Sequence, residues 1–156
     1  MACNKPASTS VVSAQDISQR AAQHLEDVLN LAPNVNYASG ASRSRFYQVR
    51  GIGERSQFVE PLNPSIGVVI DGIDFSGLGT AGTLFDVAQV EVLRGPQGTL
   101  HGANALAGLI NINTAAPQAE PELRVEATAA EYGTWSAGVV GTGPLITDTL
   151  LYRLAV

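Results

Sequence analysis

A few side chains in this 156-residue sequence invite a chemical reading. Asp71 and Asp74, in the stretch IDGID, would suit a general acid/base pair or a cation site. Against that, an Asp-Gly step is ordinary β-turn chemistry, since Asp tolerates and Gly favours the left-handed backbone that tight turns need. No histidine or second acidic cluster lies beside the pair in sequence, and Asp86, just before a strand-like segment, reads as a local turn acid. Histidines number two, His24 and His101, and the latter sits in Leu100-His101-Gly102 as a turn residue. The one cysteine, Cys3, leaves no internal disulfide and no cysteine-clustered metal site. There is no G-x-x-x-x-G-K-[ST] phosphate loop, Gly51-Ile52-Gly53 lacks the third glycine of a dinucleotide fingerprint, and no serine sits in a G-x-S-x-G elbow. Nothing assembles nucleophile, base and oxyanion donors. The expectation is therefore a non-enzyme, with no catalytic residue, no metal ligand and no cofactor.

Two arginines stand apart. Arg50 in VRG and Arg94 in LRGP each end a strand-like segment immediately before a glycine. A guanidinium in such a place needs a partner, either an acid of the same segment, Glu91 or Asp86, or one from elsewhere. Arg94 opens a stretch in which Gly95, Pro96, Gly98, Gly102 and Gly108 crowd together.

The elements that must carry these residues follow from composition and periodicity. Apolar residues make up 45%, enough for a core, whereas charged residues are only 15% against roughly 25% in ordinary soluble domains. Nine basic against fourteen acidic side chains exclude a binder of the nucleic-acid backbone. No apolar run approaches the roughly 18 residues of a spanning helix. No glycine precedes Gly40, and that opening stretch carries Ile17, Ala21, Leu25, Val28 and Ala32 at helical spacing up to Pro33. One helix or two short ones are expected there, capped by Ser13 or Ser18 and preceded by a short strand at Val11 and Val12. From residue 46 the period turns to strands at 46–52, 66–73, 89–93 and 109–113, with long loops at 53–65 and 76–83. A mixed α+β domain ends near Thr114, and AAPQAEP over 115–121 reads as a linker.

Three alternating segments follow. Leu123, Val125, Ala127 and Ala129 alternate with Arg124, Glu126 and Thr128; Trp135, Ala137 and Val139 alternate with Ser136 and Gly138; Leu150, Tyr152, Leu154 and Val156 alternate with Leu151, Arg153 and Ala155. Antiparallel strands with one apolar face account for this, in a soluble sheet or sandwich or in an outer-membrane barrel. Tyr132, Trp135 and Tyr152 near segment ends favour a membrane-interface girdle slightly. Neither a secretory signal nor a lipidation context surrounds MACNKPASTS, and LLYRLAV reads as a strand stopped part-way, so both ends look cut.

FYQVRGIG, VVIDGIDF and FDVAQVEVLRGPQGTLHGANALAGLINI, at this spacing, resemble the plug domain of TonB-dependent outer-membrane receptors. The resemblance implies an α+β plug domain with a small mixed β-sheet and short helices, followed by the first antiparallel strands of a truncated transmembrane β-barrel. The implied divisions are an N-terminal tail at 1–9, the plug at 10–114, a linker at 115–121 and barrel strands at 122–156. It implies location in the outer membrane of a Gram-negative bacterium, the plug lying in the lumen of the chain's own barrel. The implied role is gating of uptake powered by TonB and its inner-membrane energising complex. The ligand is then a scarce extracellular one, a ferric siderophore or similar iron complex, haem or cobalamin. Arg50 and Arg94 match the family's two plug arginines that pair with barrel glutamates. The loops at 53–65 and 75–83 match those facing the ligand, with Gln57, Phe58 and Phe75 as contacts. A TonB box and signal peptide are not visible. The alternative is a soluble periplasmic or secreted ligand-binding module with a plug-like fold.

Overall fold

The structure is a computed structural model and describes residues 8–39, 43–54, 64–78, 83–98, 104–129, 131–133, 135–146 and 149–156. The chain divides after Thr114 into two compact units, 1–114 and 115–156.

The first unit begins with β1 (Ser8–Ser13), which runs directly into α1 (Ala14–Gln19). The start of α1 is fixed by a reciprocal cap: the Asp16 backbone N–H donates to Ser13 Oγ at 3.3 Å, and the Ser13 N–H donates to Asp16 Oδ2 at 3.0 Å. Ser13, not Ser18, is thus the cap. The helical spacing ending at Pro33 resolves into two short helices, α1 and α2 (Leu25–Leu29). They are separated by Ala21, which adopts φ +49°, a left-handed conformation that ends a helix.

Next come β2 (Val35–Ala38), β3 (Phe46–Val49), β4 (Ile52–Gly53), β5 (Ile66–Ile70), β6 (Ile73–Asp74), β7 (Val87–Arg94) and β8 (Gly108–Thr114). The segments 46–52 and 66–73, expected as single strands, are each a tight hairpin. Val49 pairs with Ile52 and Ile70 with Ile73, which leaves two-residue turns. The turn residues Arg50 and Gly51 have φ +54° and +81°, and Asp71 and Gly72 have φ +48° and +85°. Positive φ at both central positions suits the turn to the right-handed twist of its strands, so Arg-Gly and Asp-Gly fold the chain back where β-branched content alone reads straight through. β2, absent from the sequence expectations, pairs antiparallel with β3 in a small sheet of order β2-β3-β4.

The main sheet has the order β1-β7-β8-β5-β6 and is mixed, with β5 parallel to β8 and its other pairs antiparallel. Register and pleat place Val12, Val90, Val92, Ile110, Ile112, Ile66 and Val68 on one face. This face packs with Ile17, Leu25, Val28 and Leu29 of the helices and with Tyr47 and Val49 of the small sheet in one buried core. The opposite face carries a smaller cluster of Val69, Ala105 and Leu109. Beside it runs a polar row in which Glu91 accepts from Gln89 Nε2 and Asn111 Nδ2, each at 3.3 Å. Gly67 is required on that face, because a Cβ there would lie 2.5 Å from the Asn104 carbonyl oxygen.

The second unit is a three-stranded antiparallel sheet of order β11-β10-β9, made of β9 (Glu122–Ala129), β10 (Trp135–Ile146) and β11 (Leu150–Ala155), with a 3-10 turn at Glu131–Gly133. Its registers align Ala129 with Trp135, Val125 with Val139, and Gly143 with Tyr152, so the apolar sets of all three strands share one face. That face is open: Leu123, Val125, Trp135 and Leu154 are between 63% and 79% exposed. On the other face Thr142 Oγ1 accepts from the Gln118 N–H and donates to the Tyr152 carbonyl, both at 2.9 Å, which pins the 115–121 segment to β10.

Candidate functional site

The alternation of β7 puts Arg94 in the same row as Val90 and Val92, where the pattern would otherwise call for an apolar side chain. Arg94 is accordingly 8% exposed. Its guanidinium donates from Nε and Nη2 to Ser8 Oγ at 3.3 and 3.0 Å. Nη1 donates to Ser10 Oγ at 2.9 Å and to the Pro33 carbonyl at 3.2 Å. Every acceptor among the described residues is neutral. The intrachain acids considered from sequence do not serve: Glu91 projects from the opposite face of β7, and neither it nor Asp86 meets the guanidinium among the described residues. A buried guanidinium whose acceptors among the described residues are hydroxyls and a carbonyl is an arrangement that is costly unless a carboxylate is supplied.

Arg50 occupies the tip of the β3–β4 turn with its side chain exposed. Its backbone N–H donates to the Asn34 carbonyl at 2.8 Å. The Pro33 and Asn34 carbonyls, on consecutive residues, therefore accept from Arg94 and Arg50 respectively, and the structure gathers the two arginines around this one corner. Ser8 and Ser10 were not singled out in the sequence. Their signal is the same alternation, since Ser8 and Ser10 share the parity of buried Val12, but it needs the β1–β7 register to acquire meaning.

Phe75 is half-buried and opens the loop after β6, its N–H donating to the Val68 carbonyl at 2.8 Å. It belongs to the far edge of the main sheet from β1, so the structure does not bring it to the arginines. Arg45, another residue passed over in the sequence, reaches that loop by donating from Nε to the Gly77 carbonyl at 3.2 Å. Gln57 and Phe58 lie outside the described residues, as do Cys3 and His101. At the base of the 55–63 segment, Glu54 Oε1 accepts from the Ser65 N–H at 2.9 Å and from its hydroxyl at 2.7 Å, so the two ends of that loop are stapled.

The acidic pair is structural. Asp71 accepts from the Thr114 N–H at 2.9 Å and from its hydroxyl at 2.7 Å, clamping the β5–β6 turn to the end of β8. Asp74 accepts from the Ser76 N–H at 2.8 Å and from Asn104 Nδ2 at 2.6 Å. Burial pushes the Asp74 carboxyl up, but these donors outweigh it and hold the group below the usual carboxylate range. A partly desolvated carboxylate that is already satisfied and kept ionised is a poor proton donor. Among the described residues no cluster of histidine, cysteine and acids could hold a metal ion.

Residues 3–109 match the model of the TonB-dependent receptor plug domain. The chain belongs to this family. It is 33% identical over 146 residues to the pesticin receptor of Yersinia enterocolitica, covering 93% of this chain and 21% of that protein. It is 30% identical over 152 residues to the iron-regulated outer membrane virulence protein of Vibrio cholerae, covering 91% of this chain and 23% of the relative. The crystal structure of the ferric yersiniabactin uptake receptor FyuA from Yersinia pestis superposes with a TM-score of 0.83 at 28% identity, over 96% of this chain and 23% of that one. The chain thus spans about a fifth of the length of the curated relatives it matches. Family and relatives place this plug domain in the outer membrane of a Gram-negative bacterium, as part of a receptor rather than an enzyme. The mixed sheet with few short helices, followed by antiparallel strands, is the architecture expected from the resemblance.

Proposed function

We propose that this plug domain gates the energy-coupled uptake of a ferric siderophore or similar iron complex through an outer-membrane receptor, with TonB as the partner that moves it. Support for the ligand class comes from the similarity to receptors whose own names concern iron regulation and ferric yersiniabactin. In this reading Arg50 and Arg94 seek carboxylates on the inner wall of the surrounding barrel and hold the plug in its lumen, while Gln57, Phe58 and Phe75 face the external ligand.

The observation that carries the reading is the buried Arg94, whose acceptors among the described residues are all neutral. A fixed cation that the described residues of its domain do not neutralise is suited to an acid on an enclosing wall. The exposed apolar face of the second unit argues against a soluble binding module, because strands with one apolar face open to the surroundings suit lipid contact.

The test uses the whole receptor in cells. Arg50→Ala with Arg94→Ala is expected to loosen the plug, raising permeability to small solutes and reducing uptake of iron supplied as a ferric siderophore. Uptake should also disappear on deletion of TonB. Unchanged leakage and uptake in the double variant would refute the arginine lock, and uptake that persists without TonB would refute the energised gate.

A further inference from the structure

The stretch AAPQAEP between the two units has the composition of a loose connector, but its two ends are fixed at different depths. On one side Thr114 closes β8. It pairs with Val87, and its N–H and hydroxyl both donate to the Asp71 carboxylate, so it is a firmly held last residue of the first unit. On the other side β9 starts at Glu122, yet the chain is held before that point. The Gln118 N–H donates to Thr142 Oγ1, and Thr142 is 2% exposed within β10. The same hydroxyl donates to the Tyr152 carbonyl of β11, so the sheet sets its orientation and leaves a lone pair aimed at Gln118. The remaining contact, from Arg153 Nη1 to the Ala116 carbonyl at 3.4 Å, is long and exposed.

We propose that Thr142 sets the length of the tether between the plug and the strands that follow it. With Gln118 docked on Thr142, the free chain runs from Thr114 to Gln118, four residue steps that span about 14 Å at full extension. With that bond open it runs to Glu122, eight steps and about 29 Å. One hydroxyl therefore halves the excursion open to the Thr114 corner, and any larger movement of that corner requires the bond to open first. Opening is feasible, because Gln118 is exposed and its released N–H finds water instead of becoming a buried orphan. Thr142 is a positioning residue for the 115–121 segment. That the plug makes a large movement during uptake rests on the function proposed above; the docking and the tether length do not.

Pulsed electron spin resonance on the full chain in detergent reads the tether. In a Cys3→Ser background, nitroxide labels are placed through Ile73→Cys and Leu145→Cys. Both positions are exposed, one beside the Asp71 turn and one in the strand that carries Thr142. Thr142→Val keeps the shape of the side chain and deletes the hydroxyl. It should move the upper limit of the label–label distances outward by about 10 Å. Thr142→Ser keeps the hydroxyl and should leave that limit where the parent has it. Hydrogen exchange at the Gln118 amide should quicken about three- to tenfold in Thr142→Val and stay at the parent rate in Thr142→Ser. A distance limit that Thr142→Val does not move would overturn the proposal.

Should Thr142→Val loosen the β9–β11 sheet itself, Gln118→Pro decides, because it removes the donor from an exposed position outside the sheet. It should lengthen the limit as Thr142→Val does, and a limit equal to the parent's would also overturn the proposal. Uptake that persists without TonB would sink the energised gate and leave these distances as they are. Unmoved distances in a receptor that still needs TonB would sink the tether alone, so the two failures are distinguishable.

Discussion

The two units apply one rule, alternation along a strand, to opposite ends. In the main sheet of the first unit, Val90, Val92, Ile110 and Ile112 alternate into a face roofed by α1, α2 and the small sheet, and each is at most 1% exposed. In the second unit Leu123, Val125, Val139 and Leu154 alternate just as regularly, yet all of them remain open. Periodicity tells which side chains share a face; it does not tell what covers the face. The cover in the first unit comes from helices encoded upstream in the same chain. The open face of the second has no cover among the described residues, and under the proposed function it would meet hydrocarbon, as the alternating strands of outer-membrane barrels do.

Substitutions break this contrast in a graded way. The largest effect is expected from Ile110→Ala, which deletes a fully buried side chain and should lower the stability of the first unit by about 2–5 kcal/mol, measured by denaturant unfolding. Val125→Ala, the same kind of truncation on the open face, should leave that transition within about 0.5 kcal/mol of the parent. Val125→Arg asks what the open face touches. Near the bilayer midplane an arginine on a lipid-facing strand costs about 2–4 kcal/mol, so partition of the protein into vesicles should fall. Unchanged partition would remove lipid as the cover.

The smallest effect concerns the cap of α1. Hydrogen bonds from the Ser13 hydroxyl and then the Ser13 N–H hold the Asp16 carboxyl below its ordinary 3.8. A carboxylate with a depressed folded value stabilises the fold above its unfolded value and ceases to do so as pH falls through the folded one. Ser13→Ala should therefore lower the thermal midpoint slightly near neutral pH, and the difference from the parent should shrink in acid below the depressed value, to what the non-titrating Asp16 N–H to Ser13 Oγ bond contributes. A difference that persists unchanged at low pH would show that the cap acts through something other than this ionised carboxyl.

Much of this architecture is legible in the residues themselves. Helical spacing up to Pro33, turn chemistry and the alternating tail locate most strands and both helices, and the VEVLRGPQG stretch points to the family by itself. The hairpin at Arg50-Gly51 is less legible, because FYQVRGI reads as one β-rich run until the positive φ of Arg50 and Gly51 is known, whereas the Asp71-Gly72 step signals its turn although the strand expected over 66–73 runs through it. β2 escapes for a related reason: its four residues, Val35 to Ala38, bury one side chain fully and owe their extended form to pairing with β3. The site divides in the same manner. Arg50 and Arg94 stand out by type and by the glycine that follows each. Ser8 and Ser10 acquire a role only through a pairing that links them to Arg94 across more than eighty residues, which no local pattern records.

The account depends most on the open face of β9, β10 and β11 being a lipid-facing wall. Trp135 is the chain's sole tryptophan, sits on that face and is 79% exposed, so its fluorescence reports the environment without ambiguity of source. In bilayers carrying brominated acyl chains, the account predicts blue-shifted emission that the bromines quench strongly and aqueous acrylamide barely touches. Emission at the wavelength of a water-exposed indole, indifferent to bromine and quenched by acrylamide, would contradict it.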